Sequence, residues 1–356
     1  MNKINIFITD SDYSCNDKSF QYLLGFQPSL WAMILKEDKL IVILDSRYFE
    51  KTKNIDLDNI KEVTWNKNIK LVLIESRNTI DEIKKNINKN DNIELEWKIA
   101  AEYYKELLNI NLNIRVLKWW FFTPKRIIKK DSEKESFKKA INIIDETFIY
   151  IKNLADNWKL DWKTELEVRS IILEQIFKNW WNWESFDSIV AFWENSSTPH
   201  HSTWNTKISE GPLLIDMWAL YNWYCSDFTR TFWVWEKKWP KYDEFIKIYK
   251  IVKDAHINAF KNAEENMSWD QIDNLTRSII KSKWYFEEYT HGTWHWVWLD
   301  IHESPFIKQW SKEIIKNNMF FTIEPWIYLK WNFWIRLEDI VYMENWKLKK
   351  YTKVNL

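Results

Sequence analysis

The stretch His291-Gly-Thr-Trp-His-Trp-Val-Trp-Leu-Asp-Ile-His302 decides how this chain is read. It holds three of the chain's six histidines within twelve residues. His295 and His302 stand seven positions apart, with mostly apolar residues between them, and Asp300 and Glu303 sit beside the last histidine. Histidine is the commonest side-chain metal ligand and titrates near neutrality, so this density points to a chemical centre. Trp294, Trp296 and Trp298 alternate through the same stretch. Three indoles packed around a histidine site would leave little room for a substrate, and the same oddity runs through the whole chain.

There are 27 tryptophans and 3 glycines in 356 residues. Glycine normally makes up about 7% of a chain, so roughly 25 would be expected here. The two counts together come close to that number. The pairs Asn157-Trp158, Asn222-Trp223 and Asn345-Trp346 fall at or near the ends of strand-like or helix-like runs. Asn-Gly is the strong turn signal at such places because both residues tolerate a positive φ, and Asn-Trp has no such logic. Overpacking a tight site costs about 1–3 kcal/mol, against a total stability of about 5–15 kcal/mol. The expectation is therefore that most of these positions are glycine in the living cell. A genome that reads UGA as glycine, translated with a table that reads it as tryptophan, produces this pattern. The abundance of Lys, Asn and Ile fits an AT-rich genome.

The remaining composition excludes more than it suggests. Lys+Arg and Asp+Glu balance at 51 each, so nothing points to nucleic acid or an anionic membrane. Cys15 and Cys225 make no disulfide framework, which suits a reducing, cytoplasmic compartment. The first residues lack the apolar core of a signal peptide. No run approaches the roughly 20 apolar residues that span a bilayer.

Residues 1–122 read as alternating strands and helices, an α/β domain without a histidine. Leu40 to Asp45 and Leu71 to Glu75 are runs of buried-strand type, and Ile80 to Ile87 and Ala100 to Leu108 read as helices. A charged segment from Lys125 to Lys134 follows, placing the boundary near 122/123. Ser132-Glu-Lys-Glu135 and Thr164-Glu-Leu-Glu167 have the form of capping boxes opening two helices. Residues 123–356 then mix helices at 242–263 and 271–283 with strands at 186–192, 213–221, 224–232, 320–329 and 335–343, an α+β pattern.

Four acids stand on these apolar strands: Asp216, Asp227, Glu324 and Glu338. A buried carboxylate must be paired or bind a metal. Four carboxylates and an imidazole form a mostly hard, oxygen-rich set, suited to a pair of divalent ions such as Mn, Fe, Co or Zn.

With Trp read as glycine, the second half resembles the metal-dependent pita-bread peptidases, the Xaa-Pro aminopeptidases and Xaa-Pro dipeptidases. The segments that carry the resemblance are Thr198-Pro-His-His201, Leu214-Ile-Asp-Met-Trp-Ala219, Tyr224-Cys-Ser-Asp-Phe-Thr-Arg230, His291 to Pro305, Thr322-Ile-Glu-Pro-Trp-Ile-Tyr328 and Ile335-Arg-Leu-Glu-Asp339. It reaches more weakly into the first half, through Tyr22 to Phe26 and Asp45 to Tyr48. The resemblance implies a creatinase-like α/β domain over 1–122 and an α+β pita-bread catalytic domain over 123–356. It implies Asp216, Asp227, His295, Glu324 and Glu338 as ligands of two divalent ions, manganese first, with cobalt, iron or zinc as alternatives. Asp227 and Glu338 would bridge the ions, and Glu324 would also shuttle protons. His302 and His200, with His201 as the alternative to the latter, would hold the substrate and the developing oxyanion. His291 would lie near the residue after the cleaved bond, and Arg336 would orient Glu338 and its neighbours. The implied reaction is hydrolysis of the bond between an N-terminal residue and proline in peptide substrates, by a homodimer. The alternatives are an Xaa-Pro dipeptidase, a metal-free creatinase-like hydrolase, and a non-catalytic peptide-binding module.

Overall fold

The computed structural model describes residues 3–10, 18–26, 29–96, 99–111, 113–117, 121–179, 187–198, 201–235, 240–289, 292, 295, 297, 299, 311–330 and 332–356. The chain forms two compact units, Met1–Arg126 and Ile127–Leu356.

The first unit runs β1 (Lys3–Asp10), α1 (Lys18–Leu24), β2 (Leu30–Leu35), β3 (Lys39–Leu44), α2 (Leu57–Thr64), β4 (Lys70–Glu75), α3 (Thr79–Asn86), β5 (Asn92–Leu95), α4 (Ala101–Leu108), β6 (Ile114–Val116) and α5 (Thr123–Arg126). Its sheet has the order β4-β3-β2-β1-β5-β6. The β1–β2 and β2–β3 pairs are antiparallel, and the other three pairs are parallel. Ile4, Ile6 and Ile8 alternate onto one face with Ile34, Ile41 and Ile43, under Ile83 of α3 and Leu107 of α4. Phe7 projects oppositely and stacks on Phe122, so β1 is covered on both faces, as a continuous apolar run requires. Asp45 caps the turn after β3: its carboxylate accepts from the backbone and side chain of Arg47.

The second unit contains α6 (Asp131–Asp156), α7 (Glu165–Asn179), β7 (Ile189–Phe192), β8 (Gly211–Met217), β9 (Leu220–Tyr221), β10 (Tyr224–Cys225), β11 (Phe228–Val234), α8 (Tyr242–Asn262), α9 (Trp269–Ser282), β12 (Phe320–Ile323), β13 (Trp326–Tyr328), β14 (Trp334–Arg336), β15 (Asp339–Glu344) and β16 (Lys347–Lys350). Its sheets have the orders β11-β8-β7, β12-β15-β16, β13-β14 and β10-β9, all antiparallel. Apolar side chains of α6 and α7 pack on Leu213, Ile215 and Met217 of β8 and on Phe228 and Phe232 of β11. Strand alternation then sends Asp216 and Thr229 to the face away from these helices. The capping box at Thr164 forms as expected, with reciprocal Thr164–Glu167 hydrogen bonds of 2.7 and 3.2 Å. The one expected at Ser132 does not: α6 starts earlier, and Glu133 accepts from the Lys130 N–H at 2.7 Å. Acids in that first turn also complement the helix dipole.

Four of the five long strands expected here are each broken into two pieces, and the breaks fall where acids stand. Asp227 lies between β10 and β11, Glu324 between β12 and β13, and Glu338 between β14 and β15. A regular strand would point alternate side chains to opposite faces. The breaks free these carboxylates from that alternation.

The backbone bears directly on the tryptophans. Among the described residues, twelve non-glycine positions have positive φ: eight are Trp (65, 158, 162, 193, 223, 235, 284 and 346) and four are Asn. Trp65, Trp158 and Trp284 sit just past the ends of α2, α6 and α9. In each case the next residue's N–H returns to the helix, to Lys61, Leu154 and Ile280. That is the Schellman stop, whose left-handed position is usually glycine. Asn222-Trp223 and Asn345-Trp346 are two-residue hairpin turns with φ positive at both positions (47° and 72°, 50° and 68°). Such turns favour Asn-Gly. Four further observations oppose indoles: the N–H groups of Trp31, Trp233, Trp235 and Trp334 are buried without a hydrogen-bond partner.

Candidate metal centre

Asp216 enters the site from β8, opposite Thr229 of β11 and Ile189 of β7 in the ladders. Glu338 is brought to β11 by an isolated antiparallel bridge with Thr229, through a 3.0 Å bond from its N–H to the Thr229 carbonyl. His295 is pinned to β12: its carbonyl accepts from the Thr322 N–H at 3.0 Å, and its own N–H donates to Thr322 Oγ1 at 3.2 Å. Thr322 is two residues before Glu324, so one strand positions both an imidazole and a carboxylate.

These placements converge. His295 Nε2 lies 3.3 Å from Asp227 Oδ2, 3.6 Å from Glu324 Oε1 and 3.7 Å from Glu338 Oε1. Ligand atoms of Asp227, His295 and Glu338 all fall within 4.8 Å of one another. Arg336 adds a cation at the edge: its Nη2 donates to Asp216 Oδ2 and its Nε to Thr229 Oγ1 at 2.9 Å. Asp216 and Glu338 are buried, yet Asp216 Oδ1 and Glu338 Oε1 have no hydrogen-bond partner. Arg230 braces the floor: Nη1 donates to the carbonyls of Thr229 and Glu338 at 3.0 and 2.7 Å, and Nη2 donates to Asp339 Oδ1 at 2.6 Å. Asp339 also accepts from Lys350 at 2.8 Å and lies 3.4 Å from His256 Nε2. His256 is therefore packed in a buried ion network rather than in the acid cluster.

The electrostatics follow from crowding four acids around one guanidinium and one imidazole. Burial, then the charge of Glu338, pushes Asp227 up to about 7. Burial lifts Asp216 to about 6 against the pull of Arg336. Burial and then Glu338 hold Glu324 well above the usual carboxylate range. Burial also penalises the Glu338 anion, but the His295 hydrogen bond and the Arg336 charge outweigh it and hold Glu338 low. His295 is raised despite burial, because it is bonded to Asp227 and faces Glu324 and Glu338. The cluster thus holds more negative charge than its own cations neutralise, together with two buried carboxylate oxygens that nothing satisfies. A divalent cation with hard-to-borderline preference would meet both needs, so the residues present fit such an ion.

Asp216, Asp227, His295, Glu324, Glu338 and Arg336 are all brought together here. His200, His291 and His302 lie outside the described residues, as do Trp294, Trp296 and Trp298. His201 is described: its Nε2 is 3.0 Å from Glu165 Oε2, and Glu165 also accepts from the N–H groups of Phe192 and Trp204. Sequence reasoning missed Thr229, Arg230 and Thr322. The signal available was polar residues alternating through apolar strands beside the acids.

Residues 135–345 match metallopeptidase family M24. A Mycoplasma genitalium protein bearing the name "Putative Xaa-Pro aminopeptidase" is 29% identical over 335 residues, 93% of this chain and 89% of its own. The Xaa-Pro dipeptidase of Pyrococcus furiosus is 34% identical over 230 residues, 64% of each chain. Among solved structures, the prolidase from Pyrococcus furiosus superposes with a TM-score of 0.84 at 25% identity, covering 99% of this chain and 97% of that one. The fold is thus the α/β domain plus pita-bread catalytic domain of those peptidases. With more than half of its length matched, the chain belongs to metallopeptidase family M24.

Proposed function

We propose that this protein is a metal-dependent Xaa-Pro aminopeptidase, a hydrolase that cleaves the bond between an N-terminal residue and proline. The observation that carries the reading is the buried convergence of Asp227, His295 and Glu338, with Asp216 and Glu324 beside them, in a chain of this family. Asp216, Asp227, His295, Glu324 and Glu338 would hold two divalent ions, manganese first. When bound, such ions supply Lewis acidity and activation of water at neutral pH. Glu324, kept readily protonated by burial and by the Glu338 charge, is suited to take the proton of the attacking water and give it to the leaving proline nitrogen. Arg336 fixes Asp216 through Nη2. The assignments of His200 and His302 to substrate and oxyanion, and of His291 to the residue after the cleaved bond, rest on the resemblance alone. So do the homodimer and the cytoplasmic location; no helix among the described residues is long and apolar enough to cross a membrane.

The name of the Pyrococcus furiosus relative favours a second reading, an Xaa-Pro dipeptidase. Hydrolysis of an Xaa-Pro dipeptide and of a longer Xaa-Pro peptide, with Mn2+ and with chelator, separates the two. Chelator-sensitive cleavage with preference for the longer peptide is the expected outcome, and preference for the dipeptide selects the dipeptidase. No cleavage by folded, metal-loaded protein overturns both and leaves the metal-free hydrolase or the binding module.

A further inference from the structure

We propose that Thr229 is a positioning residue of the metal centre, its hydroxyl joining the two carboxylates that each leave an oxygen unsatisfied. The hydroxyl donates to Glu338 Oε2 at 2.6 Å and accepts from Arg336 Nε at 2.9 Å. The same guanidinium holds Asp216 Oδ2. A relay Glu338–Thr229–Arg336–Asp216 therefore occupies one oxygen of each acid. The other two, Glu338 Oε1 and Asp216 Oδ1, are the buried orphans. A hydroxyl suits this task because it donates and accepts at once. Branching at Cβ restricts its χ1, so its aim is set by the strand. The backbone frame does not depend on it: the Glu338 N–H bonds to the Thr229 carbonyl, and Arg230 braces both carbonyls. Loss of the hydroxyl should thus loosen the ligands without dismantling the strands.

The inference rests on the metal reading above, and the test separates the two. Mn2+ is titrated calorimetrically into metal-free wild type, Thr229→Val and Thr229→Ser, and the melting midpoint of each metal-free protein is recorded. Valine is expected to bind Mn2+ about 10–100-fold more weakly, serine to bind close to wild type, and all three to melt alike. Where valine fails to fold, Thr229→Ala against Thr229→Ser gives the same comparison. Valine binding as tightly as wild type, or serine as weakly as valine, overturns the role of the hydroxyl. A wild type that binds no Mn2+ overturns the metal centre itself.

From a different observation, the backbone, we infer that positions 65, 158, 162, 193, 223, 235, 284 and 346 are glycine in the protein as its own organism makes it. All eight adopt the left-handed conformation, with φ from 50° to 72°, which a bulky side chain rarely takes and glycine takes freely. Three are Schellman stops and two close Asn-headed hairpins, so local chemistry asks for glycine independently of the composition. Peptide mass spectrometry of the protein from its source, with the codons at these positions, tests it. Glycine masses over UGA codons are expected; tryptophan masses at these positions overturn it.

Discussion

Replacing Trp65, Trp284 and Trp346 by glycine is expected to stabilise this chain by about 1 kcal/mol at each position, the cost of holding an L-residue in the left-handed region. These three are chosen because their indoles contribute little packing: they are 81%, 93% and 59% exposed. Trp65 and Trp284 occupy left-handed helix stops and Trp346 the second place of a hairpin turn, so glycine removes a backbone penalty without opening a cavity. Glycine also frees the unfolded chain, which works against the gain by a fraction of it. Urea unfolding of the triple variant reads the sum. The midpoint should rise with an unchanged slope, since the surface exposed on unfolding hardly differs. An unchanged or lower midpoint would contradict the backbone argument. The buried positions are a separate case: Trp233 packs against Tyr242 and Phe245, and its removal would leave a void.

Asp227→Asn should reduce cleavage by at least about 10²–10³-fold, the scale for deleting one preorganised electrostatic group from an active site. It should also abolish the stabilisation that Mn2+ gives the wild type, about 2.7 kcal/mol when the ion is at a hundred times its Kd. The sign of its effect on the metal-free protein separates chemistry from damage. The folded state raises Asp227 to about 7, so this group contributes stability at low pH that is lost as pH rises through that value. Asparagine cannot ionise, so the metal-free variant should hold its stability above pH 7 better than the wild type. Thermal melts from acid to mildly alkaline pH, with and without Mn2+, check both halves. A variant that still gains stability from Mn2+ would remove Asp227 from the ligand set.

The alternation of apolar runs in the first 122 residues was enough to read an α/β sheet, because parallel strands buried on both faces leave a continuous apolar signature. The acids on apolar strands were equally visible, since a carboxylate in such a run needs a partner wherever the strand goes. Where the strands break was not legible. Glu324-Pro325 and Leu337-Glu338 sit inside what reads as single strands, and only the pairing of β12 with β15 and of β13 with β14 turns the chain there. The start of α6 was misplaced for a similar reason, because Glu133 is buried in the fold and draws the cap to Lys130.

By itself, then, the sequence determined the kinds of side chain available: four carboxylates, clustered histidines, an arginine, and tryptophans standing where turns ask for glycine. Local chemistry suffices for this, since a turn's demand for positive φ and a buried acid's demand for a partner are properties of short segments. The tertiary structure alone decided which groups meet. Asp216, Asp227, His295, Glu324 and Glu338 are spread over more than a hundred residues. They converge because strand pairing, set by burial of the opposite faces under α6 and α7, carries them to one side. Thr229 gains its place between Glu338 and Arg336 in the same way, through a bridge across 109 positions of chain that no local pattern encodes.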